Sequence, residues 1–481
     1  MYNASSRIFR VLLITLLTCV FIVPVKTGRA AASADFSPPA PDQIQYEPLH
    51  FELPQAQRVV LDNGIVLYIL ENHELPLVHV KALVKTGTMH DPSGKEGTAE
   101  LTAYVMRTGG TSALKSSNVD NELDFMAAAV TITMSMESAQ VGFSVLNSHL
   151  ERGLDLLAQM LIHPAFEQDK FELARHLKNE EIRRIKDDPQ RLAFQEFNRL
   201  IYQNDPRGRF PSYTSLANIH RQDLIDFHRR FFLPNNTMFA VSGDVTRDDA
   251  VKIFTRYFGR WNQGTLPADI PPPSQRPRAA VYLINKEIPQ STIISGQFTV
   301  SKNNPDFYAF TVMDFIAGSG GFPSRILSTV RNNEGLAYSA GSFYRAKPDY
   351  GFFGSYAFTK TSSTLKALSL LDSVLEDIKS DSVTARELDW AKKAINDGFI
   401  FSFSTSEQIV WQQMNIAYEK LSPDFLINYR NQIDRVTLKD LNNAADKYLD
   451  KKKNVVLILG DSKKLDHPLP TGGFTLITPE E

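Results

Sequence analysis

The chain of 481 residues is almost without cysteine: the only one, Cys19, lies inside an apolar N-terminal run. With that run removed, no disulfide and no thiolate metal site can form. An excess of charge of one sign is also missing. Lys and Arg number 52 against 54 Asp and Glu, a formal net charge of -2, which offers no electrostatic footprint for nucleic acid. Beyond the N-terminus no apolar run approaches the roughly 20 residues that a spanning helix needs, so no stable membrane insertion is expected. None of the ten histidines forms an HxxH or HxxxH pair. His176 and Glu180 stand four apart on one expected helix, as many surface pairs do, and His220 and His228 lie too far apart to share a metal unaided. No Gly-rich phosphate loop follows a strand, and no G-x-S-x-G elbow is found.

What is present begins with the N-terminus. Arg7 and Arg10 precede an apolar run from Val11 to Val23, Pro24 breaks it, and small residues follow from Gly28 to Ala34. This is the layout of a secretory signal peptide over residues 1–34, cleaved between Ala30 and Ala34. An exported protein is expected, periplasmic in a Gram-negative source. The rest of the chain can bury a large core, since 43% of all residues are hydrophobic and 22% charged.

Residues 35–53 are rich in proline and polar groups and are expected to form an extended lead-in. A second break holds Pro267, Pro271, Pro272, Pro273 and Pro277. Proline fixes φ and removes a backbone donor, so residues 264–278 are expected to be a linker between domains at 54–263 and 279–470, with a tail over 471–481. The two segments look like copies. Gln222-Asp223-Leu224 precedes Gly243-Asp244 in one, and Lys439-Asp440-Leu441 precedes Gly460-Asp461 in the other; in each the two aspartates are 21 positions apart. Between them lie a helical stretch and an apolar strand, Met238–Val241 and Val455–Ile458. Matched order on both sides of a proline-rich break points to duplication.

Periodicity supplies the elements. Val130, Ile132, Met134 and Met136 alternate with polar residues, the period of a half-buried strand. Leu150, Leu154, Leu157 and Leu161 recur at helical spacing. Strands over Val59–Leu70 and His79–Val84 precede a helix near Gly97–Arg107. Several strands in succession, mixed with helices, argue for an α+β fold.

The order of motifs then becomes recognisable. Leu61-Asp62-Asn63-Gly64 leads a first strand, Glu74-Leu75-Pro76-Leu77-Val78 a second, and Gly94-Lys95-Glu96-Gly97-Thr98-Ala99 opens a helix that ends in Thr108-Gly109-Gly110-Thr111. This resembles the N-terminal domain of M16 zinc metallopeptidases, the pitrilysin/insulinase/processing-peptidase type, and the resemblance covers nearly all of the mature chain. It implies two duplicated α/β-sandwich domains of the LuxS/MPP-like kind, together one half of a clamshell. In active members the Gly-x-Ala segment runs into His-x-x-Glu-His, whose histidines bind zinc while the glutamate activates water. Here the matching residues are Glu100-Leu101-Thr102-Ala103-Tyr104. Glu100 and Tyr104 replace the two histidines and Ala103 the general base. The downstream glutamate survives in Asn179-Glu180-Glu181-Ile182, and Glu181 lies 77 positions beyond Tyr104, as the family spacing requires. One zinc ligand of three is left, with Glu100 near enough in the family fold for a weak hard-cation site to be conceivable.

The second segment carries Gly318-Ser319-Gly320-Gly321, then Ser324-Arg325-Ile326-Leu327, Arg331 and Gly335-Leu336-Ala337-Tyr338. This is similar to the family's Ser-Arg-Leu followed by an arginine and, seven residues on, a tyrosine that bind substrate backbone beside the scissile bond. Taken alone, Arg331 reads more readily as a helix-end charge and Tyr338 as a strand aromatic than as a functional pair. Some members of the family divide the site between two chains, one with zinc and one with the Arg/Tyr pair. The resemblance therefore implies a non-catalytic subunit with no metal and no cofactor of its own. It would pair with a zinc-bearing homologue carrying HxxEH and act on a peptide substrate. The alternative is a structural or peptide-binding scaffold with no part in proteolysis; a self-sufficient peptidase would need metal ligands that are not found.

Overall fold

The computed structural model describes residues 52–274, 277–380, 383–468 and 473–479. The signal peptide and most of the lead-in lie outside the described residues. Two mixed sheets of six strands each carry the architecture. The first is built from β1 (Gln57–Val60), β2 (Val66–Glu71), β3 (Leu77–Val84), β4 (Ala129–Met134), β5 (Ala139–Leu146) and β6 (Thr237–Gly243). Its order is β1-β2-β6-β3-β5-β4. The second uses β7 (Ala280–Asn285), β8 (Gln290–Thr299), β9 (Ala337–Ala346), β10 (Gly351–Lys360), β11 (Val455–Gly460) and β12 (Thr475–Leu476), in the order β12-β7-β11-β8-β10-β9.

The duplication is written in these orders. β2 pairs parallel to β6 as β7 does to β11, and the next three pairings inward are antiparallel in both sheets. Only the outermost strands differ: β1 runs antiparallel to β2, whereas β12 runs parallel to β7. Within the expected tail, Thr475 and Leu476 pair with β7 at the edge of the second sheet.

Strand patterns follow from what covers each face. Edge strand β4 alternates, with Val130 and Ile132 buried and Ala129, Thr131 and Thr133 exposed. The inner strands β6 and β11 are buried almost throughout, and their sequences are continuous apolar runs. Such runs are expected of strands covered on both faces. One face of the first sheet packs on its own helices, including Thr98–Thr108 and Leu150–Ile162, in a core with Leu154, Leu157 and Phe239. The other face is covered from the opposite half: Val410 and Met414 of the Ser406–Tyr418 helix lie on Tyr68, Leu83 and Ala240.

The second sheet is treated in the same way. Leu192, Ala193, Phe197 and Ile201 of the Pro189–Tyr202 helix pack on Ile284, Ile294, Phe352, Leu457 and Leu459. Gly296 of β8 makes the fit possible, since a Cβ there would stand 3.0 Å from the Phe197 ring and 2.5 Å from the Phe353 carbonyl oxygen. Each half therefore lends one helix to the other.

Polar groups join the halves too. Glu137 accepts from the Tyr350 hydroxyl at 2.8 Å and pairs with Lys347 at 2.5 Å, while its backbone carbonyl accepts from the Tyr418 hydroxyl at 3.0 Å. Burial opposes ionisation of Glu137, but Lys347 and Tyr350 hold its carboxyl below the usual range. The described part of the proline-rich segment, from Gly264 to Ser274, has no helix or strand and is stitched to the first half. Arg207 donates to the Pro271 carbonyl at 3.0 Å, and Lys85 pairs with Asp269 at 2.5 Å. Among the described residues no helix is long and apolar enough to cross a membrane.

Candidate functional site

The helix Thr98–Thr108 carries the first set of expected site residues. Asp91 anchors its start: one carboxyl oxygen accepts from the Gly97 N–H at 2.8 Å and the other from the Ala99 N–H at 2.7 Å. Burial pushes the Asp91 carboxyl up to about 7, and these two N–H donors only partly offset it. Leu101, Ala103, Val105 and Met106 face the core, which leaves Glu100 half-buried and Tyr104 exposed on the other side. Ala103, at the general-base position, is packed into that core with 1% exposure.

Glu181 sits on the neighbouring helix Gln168–Ile185. Between it and Glu100 stands the ammonium of Lys178, 2.7 Å from Glu100 Oε2 and 2.9 Å from Glu181 Oε2. The other oxygen of Glu181 accepts from Arg191, at the start of the Pro189–Tyr202 helix. Burial works against the charge on Lys178, but the two carboxylates outweigh it and raise its pKa. Burial also works against Glu181, whose carboxyl is nonetheless held below its ordinary value by Lys178 and Arg191. The surviving ligand position is thus paired on both oxygens.

This donor set does not fit zinc. A zinc ion needs three protein ligands free to point at one centre, commonly imidazoles with a carboxylate. Here a side-chain cation lies between the two carboxylates, alanine fills the base position, and the phenol of Tyr104 points outward with 39% exposure. The expected nearness of Glu100 and Glu181 is observed, but as a shared salt bridge. Sequence reasoning missed Lys178. Its one signal was its place one helical turn before Glu181, which any surface pair shares.

The second set lies in the other half, where helix Phe307–Asp314 runs into a π-helical turn over Phe315–Ser319. A glycine loop follows, then the short helix Arg325–Leu327 and a second π-helical turn, Ser328–Asn333. Turns of this kind are rare and frequently mark functional sites. Three contacts fix the segment. Arg325 grips Glu387 at 2.7 and 2.9 Å, and that guanidinium draws the Glu387 carboxyl down to about 2. The Ser342 hydroxyl donates to buried Asp314 at 2.6 Å, where burial pushes the carboxyl up to about 6. The Ser324 hydroxyl donates to the Gly321 carbonyl at 2.6 Å.

Arg331 leaves the second π-helical turn, and Tyr338 stands on edge strand β9 with 83% exposure. The two do meet: the Arg331 guanidinium carbon lies 4.8 Å from the centre of the Tyr338 ring. A third group, not foreseen, stacks on the same guanidinium. The Phe322 ring centre is 5.1 Å away and the residue is 64% exposed. Neither the guanidinium of Arg331 nor the hydroxyl of Tyr338 has a hydrogen-bond partner among the described residues. An arginine held by ring contacts alone keeps its N–H groups for an acceptor. Such a group suits a carbonyl or carboxylate oxygen.

A cavity of about 560 Å³ lies elsewhere, where the halves meet, lined by Lys85, Arg207, Asp269, Lys347 and Tyr350. Its charged groups pair with one another or with neighbours, Arg207 with Asp205 at 2.9 Å, Lys85 with Asp269 and Lys347 with Glu137.

Comparison with known proteins covers both halves. Residues 67–214 match the family described as "Insulinase (Peptidase family M16)", and residues 218–395 match "Peptidase M16 inactive domain". A Bacillus subtilis protein named "Uncharacterized zinc protease YmxG" is 22% identical over 395 residues, 81% of this chain and 94% of the relative. The Helicobacter pylori "Non-peptidase homolog YmxG" is 23% identical over 401 residues, 82% of this chain and 91% of the relative. Among solved structures, the peptidase M16 inactive domain from Pseudomonas fluorescens superposes with a TM-score of 0.77 at 23% identity, covering 84% of this chain and 98% of that one. The periplasmic protease PqqL from Escherichia coli gives 0.73 at 16% identity, covering 95% of this chain and 51% of that one. At these identities the structures speak for the fold.

Proposed function

The chain belongs to peptidase family M16, of the inactive type, and from that premise we propose that it is the non-catalytic subunit of a two-chain zinc metallopeptidase. In this reading a zinc-bearing homologue with an intact HxxEH helix supplies the metal and the base, and this chain carries no cofactor. Arg331 and Tyr338 bind the peptide. Attack on a peptide carbonyl places negative charge on its oxygen, and a guanidinium edge and a phenol are donors suited to that charge in a closed chamber. The exported, periplasmic location expected from the N-terminus belongs to the same proposal.

One observation carries it: the contrast in how the clusters use their charge. Glu100 and Glu181 are paired with Lys178 and Arg191, while the donors of Arg331 and of exposed Tyr338 have no acceptor among the described residues. The test is reconstitution. This chain is mixed with a zinc-bearing homologue from the same source and assayed on a quenched fluorescent peptide. Activity is expected only with both chains, and Arg331→Ala with Tyr338→Phe should lower it about 100-fold or more. Activity untouched by that double change would sink the shared site. The scaffold reading draws support from the name of the Helicobacter pylori relative. It expects no gain of activity with any zinc-bearing homologue.

A further inference from the structure

We propose that Phe322 is a specificity-determining residue of this site, selecting peptides with an aromatic or bulky aliphatic side chain beside the carbonyl that Arg331 binds. The proposal rests on the substrate-binding role given above to Arg331 and Tyr338. Its starting point is a ring held where hydrophobicity alone would not leave it. Phe322 is 64% exposed, next to Tyr338 at 83%. The loop fixes it there. Gly321 takes a left-handed conformation with φ +75°, and the Ser324 N–H and hydroxyl both return to the Gly321 carbonyl, at 3.0 and 2.6 Å. Gly320 is wedged, because a Cβ there would lie 2.6 Å from the Phe315 carbonyl oxygen and 2.7 Å from the Trp390 ring.

The contacts of the ring then define what it can recognise. Arg331 touches two aromatic rings, Phe322 at 5.1 Å and Tyr338 at 4.8 Å. The exposed Phe322 ring is thus an immediate neighbour of a guanidinium that has no hydrogen-bond acceptor among the described residues. Glu334, the nearest acid in sequence, is paired with Lys366 at 2.6 Å and does not neutralise Arg331. A ligand that gives a carbonyl oxygen to Arg331 therefore lays its adjoining side chain toward an exposed ring. An apolar side chain gains contact there, and a carboxylate is stripped of water against a hydrocarbon surface. The chemistry is that of a peptide with an aromatic or large aliphatic residue.

The experiment uses the full chain and two fluorescein-labelled dodecapeptides that differ only in carrying Phe or Asp at one central position. Fluorescence anisotropy is read on wild type, Phe322→Ala, Phe322→Lys and Arg331→Ala, with thermal melts to show that each remains folded. Wild type should prefer the Phe probe about tenfold. Phe322→Ala should erase the preference while leaving the Asp probe unchanged, and Phe322→Lys should reverse it. Arg331→Ala should weaken both probes equally. Wild type that binds both probes alike, with Arg331→Ala still weakening them, overturns the role of Phe322 alone. So does a Phe322→Ala chain that keeps the preference. Wild type that binds neither probe overturns the substrate-binding reading and this proposal together.

Discussion

The two halves of the molecule share the topology of five of their six strands, yet they use their polar groups in opposite ways. In the first half, the carboxylates of Glu100 and Glu181 are closed by Lys178 and Arg191 into a network of helix-to-helix salt bridges. In the second, Arg325–Glu387 and Ser342–Asp314 fix the neighbouring segment, while Arg331 and Tyr338 have no hydrogen-bond partner among the described residues. The difference teaches that one scaffold can hold its charges in two ways: two carboxylates closed on a shared lysine one turn from Glu181, or donors left without an acceptor.

The comparison can be broken or sharpened by substitution. The largest effect concerns the trait that the halves share. Phe197→Ala on one exchanged helix should cost about 3–5 kcal/mol and Met414→Ala on the other about 2–5 kcal/mol, read by denaturant unfolding. If only one is costly, the exchange is not reciprocal in energy. Next comes Lys178→Ala, which leaves Glu100 and Glu181 facing each other without their shared cation; a loss of about 1–3 kcal/mol is expected. A variant as stable as wild type would show the lysine to be idle.

A smaller effect depends on pH. The folded Glu387 carboxyl is held near 2, below the roughly 4.3 of an unfolded chain. Its contribution is therefore complete above that unfolded value and is lost as pH falls toward 2. Melting temperatures of wild type and Glu387→Gln should differ at pH 6 and converge toward pH 2. Asp91 and Asp314 act with the opposite sign, since their raised carboxyls favour the protonated native state and lose stability as pH climbs through about 6 to 7. The smallest effect is expected at the open site. Arg331→Ala should shift stability by about 0.5–1 kcal/mol, because a half-buried side chain with no hydrogen-bond partner loses only its contacts with two exposed rings.

Much of this was legible in the chain, for reasons that differ by residue. The period of two in β4 and the apolar stripe from Leu150 to Leu161 are local, and the structure has both. The 77 positions from Tyr104 to Glu181 anchor the motif, and its two glutamates do meet at one lysine. The helix exchange was not legible. Leu192, Phe197 and Ile201 form an apolar stripe like any other, and nothing in a stripe says which sheet it will cover. The one trace lay in Met238–Val241 and Val455–Leu459, whose unbroken apolar character already required a cover on both faces. Phe322 was hidden differently: a phenylalanine between glycine and proline looks like loop, and its value comes from standing 5.1 Å from an arginine nine residues away.

The reciprocal loan of helices also sets an order of events during synthesis. Once β6 has left the ribosome at Gly243 the first sheet has all its strands, but Tyr68, Leu83 and Ala240 stay bare until Val410 and Met414 follow. At roughly 5–20 residues per second that interval lasts roughly 10 to 35 seconds. For that time the nascent chain displays an apolar sheet face, and a chain cut short before residue 406 would display it permanently.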